Sequence, residues 1–532
     1  MPGNSTRENR ETHVVSAEDR AADRSAKATS RTADVHATRE SEGRIVPTND
    51  PNNGGRPASA EDREGRRPAA ENIEQAALVP DAAPDMGGSR GLHGVREAAE
   101  RDKRMQFTAL LHHVTVARLR SSLFALKREV TPGLDEVTWR AYVGADERDL
   151  AARLTVLHER VHRGTYRAQP SKRAYIPKAD GRLRPLGIAA LEDKIVQHAL
   201  GVVLTQVYEA DFLGFSYGFR PGRSQHDALD ALVVGIEQRR VNWVLDADIR
   251  GFFDTIAHGW LRQFLEHRIA DRRVLRLIDK WLRAGVSEDG QWSATEVGTP
   301  QGAVLSPLLA NIYLHYVFDL WIQRWRTRDA TGEVIVVRYA DDIVMGFEHR
   351  ADAERCLAAW QARLAQFGLT LHPEKTRLLE FGRYAVERRK QRGAGKPETF
   401  DFLGFTHFCG KSRAAGRFRV QRQTIRKRLR AKLQQVKAEL RRRVHDPPTE
   451  VGRWLRRVVQ GYFNYHAVPF NGPSLWVFRT QVIRQWLRTL RRRSQRSRLS
   501  WVRFAPLVRA WIPPVRILHP YPAVRFAARH PR

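Results

Sequence analysis

The sequence predicts an α+β fold in three parts, and three observations carry that division. Residues 1–90 contain no Phe, Trp or Tyr and hold 13 Lys and Arg against 16 Asp and Glu. Such a segment cannot bury enough apolar surface to offset its ordering entropy, so a disordered extension is expected there. From 165 to 410 short strand-like runs alternate with helically spaced apolar stripes, the pattern of mixed sheet and helix. Residues 411–532 hold 31 Lys and Arg against 3 Asp and Glu, with apolar residues kept at helical spacing. That segment is expected to be helical and basic.

The elements follow in order. "FTALLHHVTVARLRSSLFALKREV" places Leu110, Val114, Leu119, Leu123 and Leu126 near helical spacing, and the Pro/Gly turn "TPGLDEVT" follows. "NWVLDADI" (242–249) reads as a strand, and residues 303–325 as one long helix. "EVIVVRYADDIVMGF" (333–347) reads as a hairpin of two apolar arms about a polar break. "ADAERCLAAWQARLAQFG" (351–368) puts Leu357, Trp360, Leu364 and Phe367 on one helix face and stops at a glycine. Beyond 411, residues 423–444 keep Ile425, Leu429, Leu433, Val436 and Leu440 on one stripe with arginines on the other faces. Segments 452–468 and 478–501 interleave Trp, Tyr and Arg. No internal repeat is visible.

Charge narrows the partner. The chain has 532 residues and a formal net charge of +32, concentrated at its end. So strong a positive field implies a polyanion. No apolar run reaches the roughly 18 residues a membrane span needs, and no cationic-then-apolar leader opens the chain. Nucleic acid is therefore favoured over a membrane surface. Cys356 and Cys409 are the two cysteines, without a CxxC pair or a His/Cys cluster, which speaks against structural zinc and a disulfide scaffold. A reducing cytoplasm is the expected setting.

The chemistry concentrates at "VVRYADDIVMGF" (336–347), where Asp341 and Asp342 interrupt an apolar run. Two carboxylates pinned between buried strands repel each other unless a cation neutralises them. A third carboxylate on a neighbouring strand would complete a hard-oxygen site of the kind Mg²⁺ prefers. "VLDADIRGFFDTI" supplies Asp248 at a strand end, with Asp246 and Asp254 as rivals. Two Mg²⁺ ions held by Asp248, Asp341 and Asp342 suit nucleotidyl transfer.

"YADD" at 339–342 resembles the reverse-transcriptase signature of group II intron-encoded proteins. Accompanying blocks stand in the family's order: "YIPKADGRLRPLGI" (175–188), "GFSYGFRPGRSQHDAL" (214–229), "DADIRGFFDTIAH" (246–258) and "GTPQGAVLSPLLANIYLH" (298–315), then "GLTLHPEKTRLL" (368–379) and "FDFLGFTHF" (400–408). Upstream, "LKREVTPGLDEVTW" (126–139) is similar to the family's N-terminal extension block. The resemblance implies right-hand polymerase fingers and palm (91–410), followed by an α-helical thumb/maturase domain (411–532), of which "GYFNYHAV" is the family's thumb block. It implies RNA-directed DNA synthesis combined with assistance to splicing of the intron RNA, with intron RNA, an RNA template, a DNA primer and dNTPs as partners.

Residue by residue, the resemblance implies metal binding by Asp248, Asp341 and Asp342, with the carbonyl of Ile249 as an extra ligand. It implies triphosphate contacts from Lys178 and Arg184, and it matches Phe253 to the aromatic that crowds the sugar 2′ position. Gln301 in "TPQG" borders the nucleotide or template, and Lys375 suits protonation of the leaving pyrophosphate. Arg491, Arg492 and Arg493 are the candidate RNA-binding cluster at a helix end. The closing "ILHPYPAVRFAARHPR" has no cysteine, whereas the family often ends in a cysteine-rich DNA endonuclease. The endonuclease-lacking type is thus expected, priming from a nascent strand at a replication fork. A splicing-only maturase and a reverse transcriptase recruited to phage defence are the rival readings.

Overall fold

The computed structural model describes residues 89–177, 183–412, 416–493 and 499–530. The expectation for residues 1–90 lies outside these except at Ser89 and Arg90, which open a helix running Ser89–Arg101. The strands, in chain order, are β1 (Ser171–Pro177), β2 (Leu183–Ile188), β3 (Trp243–Asp248), β4 (Val286–Glu288), β5 (Gln291–Ser293), β6 (Val334–Tyr339), β7 (Asp342–Phe347), β8 (Arg377–Glu380), β9 (Phe400–Phe402), β10 (Phe405–Lys411) and β11 (Phe418–Thr424). They form three sheets, ordered β2-β1-β4-β5, β6-β7-β3-β8 and β11-β10-β9.

The second sheet positions the site. It is antiparallel throughout, and β3 pairs with both β7 and β8. Its strands β6, β7 and β3 are buried at their apolar positions, Val336, Val344, Met345 and Val244 at 1% exposure or less. The helix Leu191–Tyr208, buried along almost its whole length, and the fully buried helix Ser306–Leu314 belong to the same core. A helix apolar on every side belongs inside a larger core, as Ser306–Leu314 does, whereas Leu191–Tyr208 also buries Asp193 and Lys194, each with a hydrogen-bonded partner. The helix Gln225–Gln238 opens on a capping box, Ser224 and Asp227 each satisfying the other's backbone N–H.

The hairpin at 333–347, the strand at 242–249 and the helix at 351–368 form close to where the sequence places them. Three expectations change. The stripe from Leu110 to Leu126 is buried at every position, but it is carried by a 3-10 turn (Leu111–His113) and a helix (Val116–Ala125) that restarts at the Thr115 cap. The long helix of 303–325 runs 306–328 and contains a π-helical turn at His315–Asp319. Finally, helix does not begin at 411: β11 pairs along all of β10, and the first helix is Arg426–Arg442. The alternation of "FRVQRQT" has the period of a strand, and the helical stripe starts only after it.

The helices Arg426–Arg442, Pro448–His466, Gly472–Arg491 and Trp501–Trp511 close around their own core, in which Trp486, Phe478 and Phe504 are fully buried and Tyr462 stacks on Phe478 at 3.7 Å. Trp476 and Trp501 stay exposed. A last helix, Pro522–Arg529, packs against Gln225–Gln238. Between them Asp230, almost fully buried, accepts from Arg525 Nε and, at 3.3 Å, from Arg422 Nη1. Asp230→Ala leaves Arg422 buried without its counter-charge, and chemical denaturation should show a loss of about 3–5 kcal/mol.

Candidate active site

Register brings the first two carboxylates together. Asp248, the last residue of β3, stands directly opposite Asp342, the first of β7. Tyr339 and Asp342 close the β6–β7 hairpin, so Ala340 and Asp341 are the two residues of its turn. Ala340 takes a left-handed φ of 56°. Tight two-residue hairpin turns demand such a φ and usually recruit glycine or asparagine for it. An alanine there is held in a sparsely populated conformation, which is found mostly where surrounding structure enforces it.

What enforces it is visible. The backbone of 215–217 runs along β6, with Arg338 N–H donating to Phe215 O at 2.9 Å and Tyr217 N–H to Arg338 O at 2.8 Å. Gly218 then lies so close to the turn that a Cβ on it would stand 2.3 Å from Ala340 N. Asn311 donates to Gly218 O at 2.7 Å. Beneath the turn, the fully buried Arg338 donates to Ala340 O at 3.1 Å and pairs with the equally buried Asp319.

Crowding by the surrounding protein, then repulsion from Asp341 and Asp248, pushes the Asp342 carboxyl up to about 8, although the residue is exposed to solvent. Burial raises Asp341 as well; the nearby charge of Asp248 adds to this, and Arg184 and Lys375 oppose it. Lys375 is ion-paired with Asp248, and Arg428, from the first helix of the basic module, is the cation that draws Asp342 down. With Lys375 on Asp248, no three acidic, His or Cys side chains among the described residues stand as a ready-made metal cluster. The donor set is nonetheless three hard carboxylate groups at one strand end, which suits a hard divalent cation.

The other candidates divide. Lys178 lies outside the described residues. Ile249 is buried and bridges to Leu371, while His372 N–H donates to Asp248 O at 2.8 Å, which anchors the strand end. Arg184 sits on β2, whose Gly187 N–H donates to Gln301 O at 2.7 Å. Phe253 is half-buried against the core, and its carbonyl accepts from Thr299 N–H at 2.8 Å. Backbone bonds therefore bring β2, the "TPQG" loop and the 252–255 turn together. Of the rivals to Asp248, Asp246 pairs with Arg377 at 3.2 Å and Asp254 is exposed past the turn. Arg491 and Arg492 are exposed, Arg491 with its Nε donating to Leu499 O at 2.9 Å, whereas Arg493 is half-buried and donates to the Asp446 carbonyl. Sequence reasoning missed Arg338, Asp319, Asn311 and Gly218. The signal for the first was there: a lone charge inside "VIVVRY" has to find a partner.

Residues 176–407 match the family model described as reverse transcriptase (RNA-dependent DNA polymerase). Protein YkfC of Escherichia coli (strain K12) is 36% identical over 281 residues, 47% of this chain and 72% of that one. The group II intron-encoded protein LtrA of Lactococcus lactis subsp. cremoris is 45% identical over 153 residues. The chain belongs to the reverse transcriptases, of the group II intron-encoded type. The LtrA alignment spans 29% of this chain and a quarter of that protein's length. Nuclear intron maturase 2, mitochondrial, of Arabidopsis thaliana is 25% identical over 233 residues, 36% of this chain and 30% of its own. No helix among the described residues is long and apolar enough to cross a membrane.

In this reverse transcriptase the close approach of Gly218 to the turn yields a direct test. Gly218→Ala must displace Ala340, and with it Asp341. Primer extension should slow by about 100-fold, the effect of roughly 1 Å of misplacement at a reacting centre; a steady-state rate measurement checks it.

Proposed function

We propose that the chain is an RNA-directed DNA polymerase that also assists splicing of a group II intron RNA, and that Asp248, Asp341 and Asp342 are its reacting centre. The observation that carries this reading is the register: Asp248 faces Asp342 across one strand pair, with Asp341 in the adjoining turn. In this reading β1–β2 belongs to the fingers, the β6-β7-β3-β8 sheet is the palm, and the helices from Arg426 onward form the thumb. The three aspartates would hold two Mg²⁺ ions, which when bound supply charge to activate a primer 3′-hydroxyl and to offset the leaving pyrophosphate.

The chain's own groups do the rest. Arg184, whose charge is felt at Asp341, offers a planar fork to the phosphates of an incoming dNTP. Lys375 brings an ammonium to the same centre and can donate a proton to the departing pyrophosphate. Phe253 and Gln301 border the sugar and the template on one continuous backbone frame. The free thiols of Cys356 and Cys409 suit a reducing cytoplasm.

Asp341→Ala or Asp342→Ala should lower extension of a primer on an RNA template by about 10³-fold or more, since the charge they organise acts chiefly in the transition state. Affinity for RNA should stay at the wild-type value, and near-normal cDNA yield from either variant would end the assignment.

For the splicing role, the helical module supplies a basic surface with exposed Trp476 and Trp501 on which bases can stack. Arg491→Gln with Arg492→Gln leaves the Arg493 anchor in place. A salt titration of intron-RNA affinity should then give a slope shallower by up to about two phosphate contacts. An unchanged slope would move the RNA grip elsewhere in the module.

A further inference from the structure

We propose that Arg338, held by Asp319, is a positioning residue for nucleotidyl transfer: it fixes the Ala340 carbonyl and so the turn that presents Asp341 and Asp342. The inference rests on the reading of these aspartates as the reacting centre. Arg338 and Asp319 are both fully buried. Guanidinium carries five N–H donors in a rigid fork, and here each finds an acceptor. Nε donates to Asp319 Oδ1 at 2.7 Å and Nη2 to Asp319 Oδ2 at 2.5 Å. Nη2 also reaches Ser216 Oγ at 2.7 Å, while Nη1 reaches Asn311 Oδ1 at 2.9 Å and Ala340 O at 3.1 Å.

The acceptors come from three directions. Asp319 is the last residue of the π-helical turn His315–Asp319, an irregularity that helices carry mostly where a side chain must be re-aimed. Asn311 lies two turns earlier on the same helical run and is also bonded to Gly218 O at 2.7 Å. Ser216 belongs to the segment that bridges to Arg338 itself. The turn is therefore gripped from below by Arg338 and from the side by Gly218, with Asn311 tying the two grips together. The Arg338 charge is matched by Asp319, so the pair gives the turn geometry rather than field. A lysine, with one point charge and three donors, cannot replace this fork.

An ion pair that merely stabilises the fold makes a different forecast from one that positions the turn. Replacing a buried ion pair by apolar residues of similar volume commonly preserves stability. The double variant Arg338→Met, Asp319→Leu should thus melt near the wild-type temperature and bind RNA normally. It has no donor for Ala340 O, so kcat for primer extension should fall by about 100-fold, while KM for dNTP changes by less than about threefold. Recovery of kcat together with stability in this variant would overturn the proposal. If the double variant fails to fold, Asn311→Ala decides in its place: it keeps the ion pair and removes one tie, and kcat should drop by about tenfold. Wild-type kcat there would overturn the proposal equally. Asp341→Ala in the same assay separates the two levels. Activity retained in Asp341→Ala removes the reacting-centre reading itself. Activity lost there but retained in the network variants removes only the positioning role.

Discussion

Three carboxylates at the end of one strand pair repel one another and shed part of their solvation, and the surrounding architecture answers that constraint. The register leaves no freedom: with β3 and β7 paired from Trp243 to Asp248, Asp248 must face Asp342. A one-residue slip would relieve the repulsion but exchange the two buried faces, moving Val244 and Val344 out of one core cluster and Leu245 and Met345 out of the other. The molecule instead brings cations from three distant segments. Arg184 comes from β2, Lys375 from the loop before β8, and Arg428 from the first helix of the basic module. What they leave uncompensated is the shape of charge that a bound divalent cation fits.

A second level of organisation lies beneath the carboxylates and is built from paired charges that are buried or, for Arg525, mostly so. Arg338–Asp319 lies under the turn, and Asp230 binds Arg422 and Arg525 where the last helix meets Gln225–Gln238. Neither node is a cheap source of stability, because desolvating an ion pair costs about as much as the attraction returns. Each specifies geometry instead. The helix Gln225–Gln238, which carries Asp230, packs on β6 as well as on the terminal helix. The terminal helix is set on it by the Asp230 ion pairs, and it in turn lies against the β6 arm of the hairpin.

Much of this was legible in the sequence, for reasons that also explain what was not. Asp341 and Asp342 stood out because charge interrupts a β-branched run, and Asp248 because it ends a strand-like run just before a glycine-aromatic turn. The apolar stripe from Leu110 to Leu126 was visible, yet Thr115, which caps a new helix there, looked like one more polar residue within it. β11 was hidden because its arginines merged with the basic character of the following helices. The π-helical turn could not be read at all: a single added residue per turn leaves the composition of "HYVFD" unremarked, and only the finished fold shows that it delivers Asp319 to Arg338. Arg491, Arg492 and Arg493 looked equivalent because an anchor and a solvent-facing cation are the same letter until the Leu499 and Asp446 carbonyls arrive, the latter from 47 residues away. Local periodicity is written in a sequence; the partner of a buried charge is a tertiary fact.

The uneven distribution of charge has a further consequence for how binding and chemistry divide. The 31 Lys and Arg of residues 411–532 give the module a long-range field, but exposed charges are screened beyond about 10 Å at 0.1 M salt. They can gather a polyanion and cannot, from a distance, tune a carboxylate. The cations that do act on Asp341 and Asp342 reach the site from defined positions, and Arg428 is the one contributed by the basic module. Its helix starts beside the tight turn between β9 and β10, where the N-cap residue Ile425 donates its N–H to Gly404 O at 3.2 Å. One helix thus belongs to both regimes, with a solvent face subject to salt and a single guanidinium held near the carboxylates. Along that helix, a basic surface screened by salt and a cation acting on the carboxylates share one element.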